Sequence, residues 1–214
     1  MATKVFGVGL SRTGARSLNR ALETLGIRTV HLPRDRTTYQ ELASGIYSLS
    51  ILERYDGLTD ITAAPFYARL DEAYPGSKFI LTVREKESWL QSMRELNGRW
   101  LRDFDRDTVR RYLNRLRLEW RYNRSILGSL AEPADHLRMI RFLRTVTYGG
   151  LAFHDERRLS DVYDTHQRNV LEHFRTRPQD LLVLDICGGE GWVPLCRFLA
   201  KSVPMTPFPQ QGSR

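Results

Sequence analysis

Lysine is nearly missing from this chain: Lys4, Lys78, Lys86 and Lys201 are the only four among 33 basic residues, so arginine carries the formal charge of +8. Those arginines run through the whole chain, with no lysine-rich tail or isolated basic arm. The excess therefore favours anionic small ligands as readily as nucleic acid. Cysteine is scarcer still, at Cys187 and Cys196 alone, both in what reads as a last strand–turn–helix unit. That excludes a disulfide framework and a zinc site, and predicts two buried thiols. No apolar run is long enough to cross a bilayer, and no cationic start leads into an apolar export segment. A soluble cytoplasmic protein without a membrane span is expected. Repeats and low-complexity stretches are also absent, and 214 residues suit a single α/β domain over 1–214. Its tail from about residue 203 is expected to be extended, because it carries Pro204, Pro207 and Pro209.

What is present begins with Val5-Phe6-Gly7-Val8-Gly9-Leu10-Ser11-Arg12-Thr13-Gly14-Ala15-Arg16-Ser17-Leu18. β-Branched and aromatic residues predict a buried strand over Val5 to Leu10, and Leu18, Leu22 and Leu25 recur at helical spacing from about Gly14. The turn between them reads as a phosphate-binding loop, where helix N-terminal N–H groups face an anion and Ser11, Thr13 and Ser17 supply hydroxyls. A nucleoside-triphosphatase loop needs Lys directly after its second glycine. Gly9 and Gly14 have that separation, but Ala15 stands in the lysine position and Arg16 follows it. ATP hydrolysis is therefore disfavoured. The plain alternative is a βα turn that uses its glycines for geometry alone.

A βαβ rhythm continues along the chain: strands at Thr29 to His31, Asp56 to Ile61, Lys78 to Val83 and a final buried one at Leu181 to Asp185. Helices are expected from Pro65 to Tyr74, Glu87 to Leu96, Asp105 to Ile126, Ala134 to Val146, Leu159 to Phe174 and after Gly191. Thr147-Tyr148-Gly149-Gly150 reads as a flexible loop or lid. The fold class is α/β, with three layers, a central mainly parallel sheet and flanking helices.

In a doubly wound parallel sheet, ligands bind outside the carboxyl ends of the strands. Three such ends carry suggestive groups here: the Gly9 to Ser17 loop, then Thr59 and Asp60, then Arg84 followed by Ser88 and Ser92. A guanidinium at a sheet rim makes bidentate contacts with phosphate. Each has a plainer reading. Asp60 also suits a helix cap, Arg84 an ion pair with Glu85 or Glu87, and His166 a core histidine with one nitrogen paired. Asp185 reads as the end of a core strand rather than a magnesium-holding acid.

Together these motifs resemble the sulfotransferase superfamily that uses 3′-phosphoadenosine 5′-phosphosulfate, in particular its bacterial-type branch, over most of the chain. That family binds the 5′-phosphosulfate with a P-[RK]-[ST]-G-T-[TR]-S-L loop, matched by Ser11-Arg12-Thr13-Gly14-Ala15-Arg16-Ser17-Leu18. A strand-end Arg and a Ser eight positions later bind the 3′-phosphate, matched by Arg84 and Ser92. The closing Leu182-Val183-Leu184-Asp185-Ile186-Cys187-Gly188-Gly189-Glu190-Gly191-Trp192 is similar to the branch's C-terminal signature. The resemblance implies a P-loop-like fold, a sulfuryl donor whose product is adenosine 3′,5′-bisphosphate, and a small-molecule hydroxyl acceptor. It implies no nucleic-acid partner and no metal requirement. Where many members carry a catalytic His, about two dozen residues before the 3′-phosphate Arg, this chain has Asp60. Asp60 is thus the candidate general base, and Arg12 the group that clamps the bridging oxygen and sulfonate.

Sulfuryl transfer, like phosphoryl transfer, spreads negative charge over peripheral and leaving oxygens, so fixed positive groups and positioning supply most of the catalysis. Arg12, Arg16 and the loop amides suit that task. Two other readings stand: a small-molecule kinase with a degenerate P-loop, and a non-catalytic anion or nucleic-acid binder using an Arg106 to Arg124 face. Trp89, Trp100, Phe104, Trp120, Tyr148 and Phe153 are candidate linings of an acceptor pocket.

Overall fold

Five short apolar runs pair side by side into one parallel sheet: β1 (Val5–Gly7), β2 (Thr29–His31), β3 (Gly57–Thr59), β4 (Lys78–Thr82) and β5 (Leu181–Leu184). A computed structural model describes residues 3–33, 35–105, 138–150 and 155–210, with 98–105 as helix backbone alone. Strand order is β2-β3-β1-β4-β5, with Val5 opposite both Gly57 and Lys78. The chain after β1 therefore emerges between β3 and β4, at the point where the strand order switches direction.

Alternation along the strands sends side chains to two faces. Phe6, Phe79 and Leu81 join Leu58, Leu70, Trp89 and Phe174 in the larger core; Val5 and Ile80 join Leu18, Leu22, Leu184 and Leu195 in the smaller. The second face is covered by α1 (Ala15–Thr24) and α7 (Trp192–Phe198). The first is covered by α3 (Tyr67–Ala73), α4 (Lys86–Asp105) and α6 (Glu156–His173). α2 (Arg36–Ala43) starts at Asp35, whose carboxylate accepts the Thr38 N–H at 2.8 Å. This is the expected α/β arrangement in three layers.

Several boundaries differ from expectation. β1 ends at Gly7 and β3 at Thr59, because the chain turns toward the rim there and Asp60 opens a 3₁₀ turn to Thr62. β5 is an edge strand rather than a buried one, leaving Val183 exposed. Cys196 is buried but Cys187 is exposed, since it lies in the turn after β5 and not on the core face of α7. A helix over 138–148, α5, includes Thr147 and Tyr148, so the expected lid is reduced to a bend at Gly149 and Gly150. There Gly149 has φ +75° and its carbonyl accepts from Arg158 Nη2 at 2.8 Å. Past α7 the chain runs without regular structure to residue 210, tied down by Trp192 Nε1–H donating to Thr206 O at 2.7 Å and by Phe208 packing on the Trp192 ring. The expected Asp105 to Ile126 helix beyond residue 105, the Arg106 to Arg124 face, Trp120 and Phe153, and the side chains of Trp100 and Phe104, lie outside the described residues.

Candidate active site

The loop from Val8 to Gly14 is built by close approach to β4. A Cβ on Gly9 would stand 1.9 Å from Thr82 Oγ1 and 2.5 Å from the Thr82 carbonyl oxygen, so only glycine fits there. Gly14 is the N-cap of α1 with φ +98°, and no side chain caps that helix. The first turn of α1 thus begins at the loop without a side-chain cap. Thr13 is buried and locks the loop: its hydroxyl donates to Leu10 O at 2.7 Å and lies 2.6 Å from Thr82 Oγ1. Its hydroxyl is thus an internal tie, not the anion donor expected from its place in the motif. Ala15 and Ser17 are buried under the first turn, and Arg16 is exposed beside it.

On the β4 side stand the arginines. Arg84 Nε donates to Ser88 Oγ at 2.9 Å and its Nη1 to the Arg12 carbonyl at 3.4 Å; Arg12 Nε donates to Ser92 Oγ at 2.7 Å. The two guanidiniums are therefore coupled to two successive turns of α4. Tyr163 of α6 grips the Arg84 backbone from behind, its hydroxyl accepting from Arg84 N and donating to Arg84 O. Glu85 is not the partner of Arg84 expected from a surface pair; its carboxylate accepts the Glu87 and Ser88 N–H groups at 2.9 and 2.7 Å. Ser92 is buried, and what it holds is Arg12. Cys187 lies within electrostatic reach of Arg84 and Arg12, although partial desolvation of its thiol outweighs them and pushes it up.

On the β3 side stands a carboxylate. Asp60 is buried with φ +74°, a left-handed conformation that Asp and Asn tolerate better than other side chains. Arg12 shares that conformation at φ +73°, so residues on both flanks of the loop are held in a sparsely populated region. Asp60 Oδ1 accepts the Ser11 hydroxyl and the Ile61 N–H, each at 2.7 Å. It does not cap a helix: the N-cap of its own 3₁₀ turn is Thr59, and the N-cap of α3 is Phe66, with no side-chain cap. Oδ2 faces His31 Nε2 at 3.4 Å.

Helix α5 and α4 close the far side of the loop. The Ser11 N–H donates to the Tyr148 hydroxyl at 3.1 Å, and Trp89 Nε1–H donates to Ser11 O at 2.9 Å. Trp89 and Tyr148 are both buried, so they prop the loop and do not offer an open pocket wall. Burial, then Asp60, pushes the Tyr148 phenol far up and keeps it neutral. One turn earlier on α5, buried Arg144 faces Tyr148 and Asp60; burial lowers its pKa against their pull. His166 is the satisfied histidine its helical position implies: Nε2–H donates to Val8 O at 2.7 Å, and burial holds its pKa down.

Ser11, Asp60, Arg12, Arg84 and Ser92 thus meet around one loop. Three contributors carry no motif. Arg144 and Tyr163 are single residues on helices remote in sequence, and nothing local marks them. His31 had a signal: it ends a strand in a sheet whose other strand ends carry the chemistry.

The profile of a family described as "Sulfotransferase domain" matches residues 4–214. The chain is also 29% identical over 231 aligned positions to "Ava biosynthesis cluster protein M" of Aspergillus versicolor, covering 96% of this chain and 79% of that protein.

Proposed function

Because the chain belongs to the sulfotransferase domain family, we propose that it moves a sulfuryl group from 3′-phosphoadenosine 5′-phosphosulfate to a hydroxyl acceptor, with Asp60 as general base. One observation carries this reading: a single loop is bonded on one flank to Asp60 through Ser11 and on the other to Arg84 through the Arg12 carbonyl. An anion on the loop therefore has a carboxylate on one side and cations on the other.

The donor's 5′-phosphosulfate would lie over residues 11–17, on the uncapped first turn of α1, with Gly14 and Ala15 giving close approach. Arg12 and Arg16 would neutralise charge on the sulfonate and bridging oxygens. Arg84 and Ser92, with Ser88, would hold the 3′-phosphate, Arg84 and Arg12 exchanging hydroxyl partners for anionic oxygens. In the transfer, the acceptor oxygen forms the new S–O bond as the bond to the 5′-phosphate breaks, and the bisphosphate leaves with that electron pair. The acceptor's proton goes to Asp60. Oδ1 already accepts two hydrogen bonds, so the receiving atom is Oδ2.

The test is a calorimetric comparison of adenosine 3′,5′-bisphosphate with ATP plus Mg²⁺. Micromolar or tighter binding of the bisphosphate, with at least about tenfold weaker ATP binding, is the expected result, equivalent to 1.4 kcal/mol or more. Preference for ATP would replace this reading with the kinase one.

A further inference from the structure

His31 stands behind Asp60 in a chain of hydrogen bonds that has no part in the family motifs. Its Nδ1 is 3.1 Å from Thr59 Oγ1, Thr59 Oγ1 donates to Asn19 Oδ1 at 3.4 Å, and Thr29 Oγ1 donates to the same oxygen at 3.0 Å. Asn19 Nδ2 in turn donates to Glu23 Oε1 at 2.9 Å. On the other side of the ring, Arg16 Nε donates to His31 Nε2 at 3.4 Å.

One tautomer satisfies all of these bonds together. Thr59 gives its only hydrogen to Asn19, so His31 carries its proton on Nδ1 and donates to Thr59; Nε2 is then a bare acceptor, as the Arg16 contact requires. Nε2 and Asp60 Oδ2 consequently face each other at 3.4 Å with no proton between them. Two acceptors at that distance form a site for one proton. The arrangement is sheltered, with only 17% of the His31 side chain and 11% of the Asp60 side chain exposed.

We propose that His31 is the second half of the base: it acts through Asp60, keeping Oδ2 oriented and sharing the proton that Oδ2 receives from the acceptor. This rests on Asp60 being the base. The proton leaves the acceptor oxygen and forms an O–H bond at Oδ2; as the Arg16 N–H releases the single lone pair of Nε2, the proton moves there to give imidazolium paired with carboxylate, and it returns to solvent, with the Arg16 contact restored, after the sulfated product departs. His31 is a positioning residue, since it touches Asp60 and not the acceptor. Acid has a defined effect: a proton already held between Nε2 and Oδ2 leaves the pair unable to accept another. Burial lowers the His31 pKa, opposed by Asp60 and reinforced by Arg16, so the ring is neutral and receptive near pH 7. The other groups around the pair are Arg20, Glu23 and Tyr55 along the α1–β2 cleft, and Arg144 and Tyr148 from α5.

The experiment compares the wild type, His31→Gln and Asp60→Asn. The wild type should lose kcat through an acid limb that belongs to the pair. His31→Gln, which cannot store the proton, should lower kcat roughly 10- to 100-fold at pH 8, as for outer partners of functional side chains. Its acid limb should move down in pH, because the imidazole that takes up the proton is gone. Affinity for adenosine 3′,5′-bisphosphate should stay within about threefold, because Arg12, Arg84 and Ser92 are untouched and the ligand lacks the sulfonate proposed to lie near Arg16. An unmoved acid limb, or bisphosphate affinity falling in step with kcat, would overturn the proposal in favour of a structural role. A second readout needs no turnover: ring nitrogen NMR of His31, whose titration midpoint should fall in Asp60→Asn when the neighbouring carboxylate's charge is removed. An unchanged midpoint breaks the pair even in an active enzyme. A lowered midpoint in a protein that turns over no donor keeps the pair and removes the transferase reading instead.

Discussion

The two flanks of the loop are built by opposite means. On the β4 flank, Arg12 and Arg84 are only partly buried and each rests on a serine hydroxyl of α4, a neutral partner that an anionic oxygen readily outcompetes. On the β3 flank, Asp60 is buried, its Oδ1 is fully occupied, and its Oδ2 is backed by His31 in a network that runs on to Glu23. In the proposed reaction the first flank would exchange partners when the donor arrives, and the second would stay still, as a base must if it is to meet a proton at one place. The loop between them serves both, because Ser11 and Arg12 are adjacent and each ties it to one side.

Substitutions separate the flanks. The largest effect is expected for Asp60→Asn, since Asn keeps the left-handed backbone and the Ser11 contact while losing the basic oxygen. Steady-state kinetics should show kcat down about 10²- to 10⁴-fold with bisphosphate affinity retained, on general-base magnitudes. Unchanged turnover would reduce Asp60 to a loop anchor. Arg84→Ala should act on the other flank only. Titration with adenosine 3′,5′-bisphosphate should show a loss of about 2–4 kcal/mol, while adenosine 5′-phosphosulfate barely changes. Equal losses for both ligands would place Arg84 elsewhere than on the 3′-phosphate. Gly9→Ala tests what the flanks share. Its new methyl group would meet the Thr82 backbone as well as its side chain, so thermal or denaturant unfolding should show a loss of about 1–3 kcal/mol. Undiminished stability would mean that the loop moves away from β4 at no cost.

Much of this was legible in residue order. The apolar runs marked all five strands, and the 3.6-residue recurrence of Leu18 and Leu22 marked α1 to within a residue at its start. The motif glycines and strand-end residues named Arg12, Asp60, Arg84 and Ser92 as neighbours, which is how they stand. Other residues lie in patterns that have two solutions. Tyr148-Gly149 looks like a loop when the glycines are weighed, yet the tyrosine completes α5 by packing into the core and bonding Ser11. Thr13 looks like an anion donor until Thr82, 69 residues away, takes up its hydroxyl.

The sequence by itself determined the element order, the βα loop with arginine where a lysine is absent, and the strand ends at which chemistry collects, because these follow from local periodicity and from residue type. Only the tertiary structure decided that Asp60 is a partner of Ser11 and His31 rather than a cap, that Arg84 leans on Ser88 rather than on Glu85, and that β5 is an exposed edge. The physical reason is reach. A hydrogen bond is settled over about 3 Å, and the sheet brings within that distance side chains tens of residues apart that no local rule connects.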